Sequence, residues 1–199
     1  MVELLILADD FTGALDTGVQ FAARGASTTV VTDPNFDFSK ADPTTQVLVM
    51  DAETRHLPPR EAYRVIYRAV QNALSSGVSY IYKKTDSALR GNVGSELSAA
   101  MAAAGVDRLP FIPAFPKTGR VTRRGIHYIQ GVPVAKSVFG QDPFEPVRFS
   151  DVRQILAQQA DVPAVLWDEM EEDQTGIAIF DAETDEDLRR IGQQLGKDH

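Results

Sequence analysis

The chain has 199 residues, 43% of them hydrophobic and 24% charged, enough to bury the core of one domain or of one domain with a small appendage. Its net charge of −8 excludes a duplex nucleic-acid binder, which needs a basic face, and confines any anionic small ligand to a local cluster of cations. With no Cys there is no disulfide scaffold, no thiolate metal site and no Cys nucleophile.

The opening run through Ala8 is short and carries Glu3, so it lacks the basic start and long apolar core of a signal peptide. No stretch approaches the ~20 apolar residues of a membrane span, and a cytoplasmic protein without membrane contact is expected. Residues 4–8 predict a buried strand, followed by Asp9-Asp10-Phe11-Thr12-Gly13 and a helix over 14–24 closed by Gly25. Residues 28–32 and 47–50 are β-branched or apolar and predict two more strands. Pro58-Pro59 opens a helix in which Ala62, Ile66, Ala69, Val70, Ala73 and Leu74 recur at three- and four-residue spacing. A strand over 78–82 leads into Lys84-Thr85-Asp86-Ser87, and a helix of small residues runs from about 93 to 104, ending at Gly105.

A strand at 109–112 enters Pro113-Ala114-Phe115-Pro116. Residues 117–149 show no clear period and read as an irregular excursion or short hairpin, long enough to suggest a functional loop. Ser150 or Asp151 is a plausible N-cap for a helix to about residue 160, with Gln154 placed to complete the cap. Strands over 162–167 and 176–180 and a helix from Thr184 through Leu195, capped by Thr184 with Asp187, close the order. The alternation specifies an α/β fold, a largely parallel sheet flanked by helices with the excursion at 117–149.

In such sheets ligands bind at the carboxyl ends of the strands. Three polar clusters fall there: Asp9-Asp10, Asp51 to Arg55, and Lys83 to Ser87. Adjacent carboxylates on a strand point in opposite directions, so only one of Asp9 and Asp10 is expected to face a pocket. That one can accept a hydroxyl hydrogen bond or a proton, or simply complement a helix N-terminus. The stretch from Lys83 to Gly94 combines two lysines, Asp86, Ser87, Arg90 and two glycines at a strand-to-helix transition. Backbone donors at that helix start, with Lys84 or Arg90, suit a carboxylate or a phosphoryl group, and Asp86 suits an alcohol; the bland reading is a capped helix with a solvated ion pair. Arg55 is a second candidate for a bidentate carboxylate contact. Lys117, Arg120, Arg123 and Arg124 lie beside Gly119 and Gly125 and read either as a solvated face or as a mobile loop near phosphate. His56, His127 and His199 lack metal-ligand spacing, and no metal site is expected. No Walker-type loop, G-x-S-x-G elbow or protein-kinase Gly-rich loop occurs.

Ala8-Asp9-Asp10-Phe11-Thr12-Gly13-Ala14 with Asp16-Thr17-Gly18 resembles the N-terminal signature of the four-carbon acid sugar kinases. Tyr82-Lys83-Lys84-Thr85-Asp86-Ser87 with Leu89-Arg90-Gly91-Asn92 and Gly94 is similar to that family's second signature. Thr54-Arg55, the segment Pro113 to Arg120, Gly131-Val132-Pro133 and Asp142-Pro143 follow in the family's order. The nearest likeness is to threonate and 3-oxo-tetronate kinases.

The resemblance implies a sugar-acid-binding domain over residues 1–199, the N-terminal part of an ATP-dependent kinase that phosphorylates the terminal hydroxyl of threonate, erythronate or 3-oxo-tetronate. It assigns substrate contacts to Asp10, Arg55, Lys84, Thr85, Asp86 and Ser87, and Arg90 and Arg120 extend the set by charge and position. Asp10 or Asp86 is the candidate base. ATP and Mg²⁺ are expected in a nucleotide-binding domain absent from this chain, whether C-terminal or a separate partner, and no cofactor is expected on the chain alone. Besides that domain the expected partner is a small sugar acid, a homo-oligomer is compatible with the sequence, and nucleic acid is not expected. Two rival readings are a sugar-acid-binding protein that has lost catalysis and a haloacid-dehalogenase-like phosphatase. The latter's nucleophile motif needs Asp-x-Asp, whereas Asp9 and Asp10 are adjacent.

Overall fold

The computed structural model describes residues 2–196; His199, weighed above as a metal ligand, lies outside the described residues, as does the rest of 197–199. The chain divides into two compact units. The first holds the residues up to Asp86 together with Gly91–Val106, and the second holds Ser87–Arg90 with the chain from Asp107 on.

The first unit runs β1 (Leu4–Ala8), α1 (Phe11–Ala22), β2 (Thr28–Val31), β3 (Val47–Asp51), α2 (Pro59–Ser75), β4 (Tyr80–Lys84) and α3 (Val93–Ala104). Its strands form one parallel sheet in the order β2-β3-β1-β4. Parallel strands need helical crossovers, and right-handed crossovers that leave β1 in one direction and β3 in the other place α1 and α2 on opposite faces. Strand alternation follows suit: Ile6, Ala8, Val47 and Val49 pack with Ala14 of α1, while Leu5, Leu7, Leu48 and Met50 are fully buried on the other face. The amphipathic stripe of α2 buries Ala62, Ile66, Ala69, Val70 and Ala73, as its spacing requires.

Two of the boundary shifts matter for the site. Helix α1 starts at Phe11, because the Asp10 side chain caps it by accepting from the Gly13 N–H at 2.9 Å. Phe11-Thr12-Gly13 is therefore the first helical turn. Strand β4 starts at Tyr80 and ends on Lys84, so both lysines lie within the sheet.

The second unit runs β5 (Arg108–Phe111), β6 (Arg120–Arg123), β7 (Ile126–Ile129), β8 (Val132–Pro133), α4 (Val152–Ala157), β9 (Ala164–Leu166), β10 (Gly176–Ile179) and α5 (Asp185–Leu195). Strands β5-β10-β9 form a parallel sheet in that order, and β6-β7-β8 an antiparallel one. The irregular excursion is thus a small β-meander followed by 3₁₀ turns at Val134–Lys136 and Val138–Gln141. Its first hairpin turns on Arg124 and Gly125, at φ of 51° and 73°, a left-handed pair that suits a two-residue connection. The Asp181 carboxylate accepts from both of their backbone N–H groups. Helix α5 carries a complete capping box between Thr184 and Asp187.

Candidate functional site

Register sets the site. Ala8 at the end of β1 pairs with Asp51 of β3 and with Lys84 of β4, so the three polar clusters lie side by side along one carboxyl edge of the first unit's sheet. Paired residues project to the same face, which puts Asp51 and Lys84 on either side of the small Ala8 methyl, on the face covered by α1.

Both aspartates after β1 reach one guanidinium, although the Asp9 side chain is buried and that of Asp10 is 28% exposed. Arg55 donates from Nε to Asp9 Oδ2 at 2.8 Å and from Nη1 to Asp10 Oδ2 at 2.8 Å. Its Nη2 lies 3.5 Å from Asp86 Oδ1. Strand alternation still holds at the backbone. The length of the Arg55 side chain, which runs past the strand end, lets it meet carboxylates from both faces. Burial pulls the Arg55 guanidinium down, but Asp9, Asp86 and Asp10 outweigh it and hold the group above its ordinary value. The Arg55 and Asp9 side chains are only 11% and 3% exposed, so removing either partner would strand a buried charge.

The loop that delivers Arg55 is held at several points. Asp51 Oδ1 accepts from the Glu53 N–H at 3.1 Å, and Glu53 takes a left-handed φ of 46°. The Arg55 N–H donates to the Asp9 carbonyl at 3.2 Å. Asn92 Nδ2 donates to the carbonyls of Thr54 and Leu57, each at 2.8 Å, and of Arg55 at 3.3 Å. Gly91, at φ 78°, lies so close that a Cβ there would sit 2.9 Å from Arg55 Cγ. Asp51, Gly91 and Asn92 were not singled out in the sequence as site residues. Asp51 opens one of the polar clusters and Gly91-Asn92 belong to the second signature, but the Asn92 contact with Arg55 spans 37 positions of chain.

Lys84 differs from Arg55. Its Nζ donates to the Thr85 carbonyl at 2.6 Å, and among the described residues no carboxylate lies within ion-pair distance. It sits against the first turn of α1, where a Cβ on Gly13 would come within 2.9 Å of Nζ and 2.6 Å of Asp10 Oδ1. Lys83 points to the other face and forms a buried pair with Glu96 of α3 at 2.8 Å, with the two side chains 3% and 1% exposed. Lys83 also donates to the Lys84 carbonyl at 2.7 Å, which anchors the strand end beneath Lys84. The first turn of α3 is buried, so the helix start beside the exposed edge is that of α1.

Asp10, Arg55, Lys84, Thr85 and Asp86 thus gather in the first unit, while Ser87, Arg90 and Arg120 belong to the second. Among the described residues no three His, Cys, Asp or Glu side chains are arranged to hold a metal ion. The carboxylates of Asp9, Asp10 and Asp86 already converge on Arg55, which occupies the place a cation would take. The cluster therefore does not fit Mg²⁺. What it offers is a set of hydroxyl-accepting carboxylates next to a lysine ammonium without a carboxylate partner. That combination matches a small polyhydroxylated anion.

Residues 4–199 match the family described as the sugar-binding N-terminal domain. The chain is 33% identical, over 96% of its length, to a D-threonate kinase of Salmonella typhimurium, of which it covers 48%. It is likewise 33% identical, over 80% of its length, to a D-erythronate kinase of Heliobacterium modesticaldum, of which it covers 37%. The chain spans about half the length, or less, of these curated relatives. Among solved structures, a Bordetella bronchiseptica domain of unknown function, a domain-swapped dimer with bound citrate, superposes with a TM-score of 0.83 at 30% identity. That match covers 98% of this chain and 50% of the other.

Proposed function

Because the chain belongs to the sugar-binding N-terminal domain family of the four-carbon acid sugar kinases, we propose that its first unit holds a four-carbon sugar acid for phosphorylation on the terminal hydroxyl. The substrate class is threonate, erythronate or 3-oxo-tetronate. ATP and Mg²⁺ are assigned to the part of the kinase relatives that these residues do not match, and no step here runs through them.

The observation that carries this reading is the division of charge at the sheet edge. Three carboxylates around one guanidinium leave the Arg55 cluster net negative, so it repels a second anion and accepts hydrogen bonds from sugar hydroxyls. The substrate carboxylate goes instead to Lys84 and the N–H groups opening α1, where the helix dipole adds to the ammonium. One such charge pair at about 4 Å is worth roughly 4 kcal/mol at an effective dielectric of about 20, before desolvation is counted. Thr85 supplies a further donor within the same unit. Arg55 acts by holding Asp10 and Asp86 in position. Either carboxylate can take the proton as the terminal oxygen attacks phosphorus, and positioning rather than covalent chemistry dominates such transfers. The Bordetella structure carries bound citrate, a small polycarboxylate, which is in keeping with the reading.

Calorimetry with threonate, erythronate and 3-oxo-tetronate tests the assignment. We expect at least one acid to bind, Lys84→Met to weaken it by about tenfold or more, and Arg55→Ala to abolish it. A folded sample that binds none of the acids overturns the proposal.

A further inference from the structure

A second cluster of cations lies wholly within the other unit, and the sugar-acid reading does not depend on it. Arg90 and Arg120 both lie over the Phe139 ring, with their guanidinium carbons 5.1 and 5.9 Å from its centroid. Two like charges sharing one ring repel each other. Arg90 pairs with Asp142 at 3.4 Å. Asp142 is committed elsewhere, because its other oxygen accepts from the backbone N–H groups of Phe144 and Glu145, each at 2.9 Å. Those two bonds, more than Arg90, hold its carboxyl below the usual range.

Arg120 has no carboxylate within ion-pair distance among the described residues, although the chain as a whole carries a charge of −8. Its Nη1 donates to the Thr118 carbonyl at 2.6 Å, and its Nε is buried without an acceptor. A buried donor left unmade is costly, and an arginine without a counter-charge in an acidic protein is best satisfied by an anion from outside.

The cluster is also rigidly built. Arg120 opens β6, where its backbone exchanges hydrogen bonds with Phe115 at 2.8 and 3.2 Å. Phe139 is held by the Val147 N–H on its carbonyl at 3.0 Å and by Ser137 Oγ on its own N–H at 3.2 Å. A Cβ on the next residue, Gly140, would collide with the Ala135 carbonyl at 2.0 Å, so the two 3₁₀ turns that carry the ring approach backbone to backbone. Fixed, planar, forked donors on an aromatic platform suit a tetrahedral oxyanion better than a solvated lysine patch would.

We propose that Arg90, Arg120 and Phe139 form a binding site for a phosphoryl group. Two sources share that chemistry, a phosphorylated sugar acid and a nucleoside triphosphate, and they are separated by experiment. Inorganic phosphate is titrated into the full chain by calorimetry and by thermal melting. Wild type is compared with Arg120→Gln, Arg120→Lys and Phe139→Leu, and with Arg189→Gln as a charge control on exposed α5. Circular dichroism verifies that each variant is folded.

We expect phosphate to bind and raise the melting temperature of wild type and of Arg189→Gln. Its affinity falls by about tenfold in Arg120→Gln and by less in Arg120→Lys, which keeps the charge and loses the fork. Loss in Phe139→Leu, with both arginines kept, shows that the ring organises the site. Competition at lower concentration by a four-carbon phosphorylated acid than by ATP assigns the source to the sugar ester, and the reverse order assigns it to the nucleotide. Wild type that fails to bind phosphate, or folded Arg120→Gln that binds it as well as Arg189→Gln does, overturns the proposal.

Discussion

Arg55 and Asp51 show how one residue's setting decides its chemistry. An arginine after a strand reads as an open carboxylate clamp, yet here Nε and Nη1 are taken by Asp9 and Asp10, and Nη2 faces Asp86. A lysine in its place would keep the charge and lose the fork that lets one group serve three partners. Asp51 is the opposite case, a buried carboxyl whose Oδ2 has no hydrogen-bond partner. Burial, helped by Glu53, Asp10 and Asp9 and opposed by the Glu53 N–H, raises its pKa above the ordinary aspartate value. A raised folded-state value means that the native chain binds the Asp51 proton more tightly than the unfolded chain does. The resulting stabilisation is present in acid below the unfolded value, and it is lost as pH rises through the folded one. Asp51→Asn keeps the acceptor for Glu53 and removes the buried charge. Denaturant titrations across pH should therefore show the variant gaining on wild type between acid and neutral pH. An unchanged difference across that range would show that Asp51 pays no charge penalty.

At the scale of elements, the segment between β3 and α2 is a loop made rigid by the start of α3. The Asn92 amide holds three of its carbonyls, and Gly91 leaves room for Arg55. Gly91→Ala places a Cβ on Arg55 and forces a left-handed φ on alanine, which costs about 1 kcal/mol from the backbone alone. We expect a lower denaturation midpoint together with weaker sugar-acid binding, because Arg55 must shift to admit the methyl. Loss of stability with unaltered affinity would remove this loop from the site. The elements themselves were legible wherever pattern and cap agreed. Val93–Ala104 and Leu4–Ala8 run as their composition predicts, and the Thr184–Asp187 box opens α5. Strand β4 was displaced because Tyr80-Ile81-Tyr82-Lys83-Lys84 ends on two lysines, which polarity places in a turn. One of them is buried against Glu96 and the other lies at the sheet edge.

For the whole molecule, the proposed division of labour has a direct consequence. With threonate and MgATP, the 199-residue chain is expected to bind the acid, with ADP release staying at background until a nucleotide-binding domain is supplied. Turnover by the chain alone, in a coupled ADP assay, would show that the nucleotide is held here. The sequence by itself determined the α/β alternation, the three polar clusters at strand ends and the family signature, because strand and helix periods and caps are local properties. Tertiary structure alone decided which charges face one another. Arg55 lies 46 positions from Asp9, and their pairing depends on parallel register and on a loop path held by Asp51, Gly91 and Asn92. It likewise decided that Lys84 and Arg120 have no carboxylate partner among the described residues, since the counter-charge at a site is a property of packing that composition does not reveal.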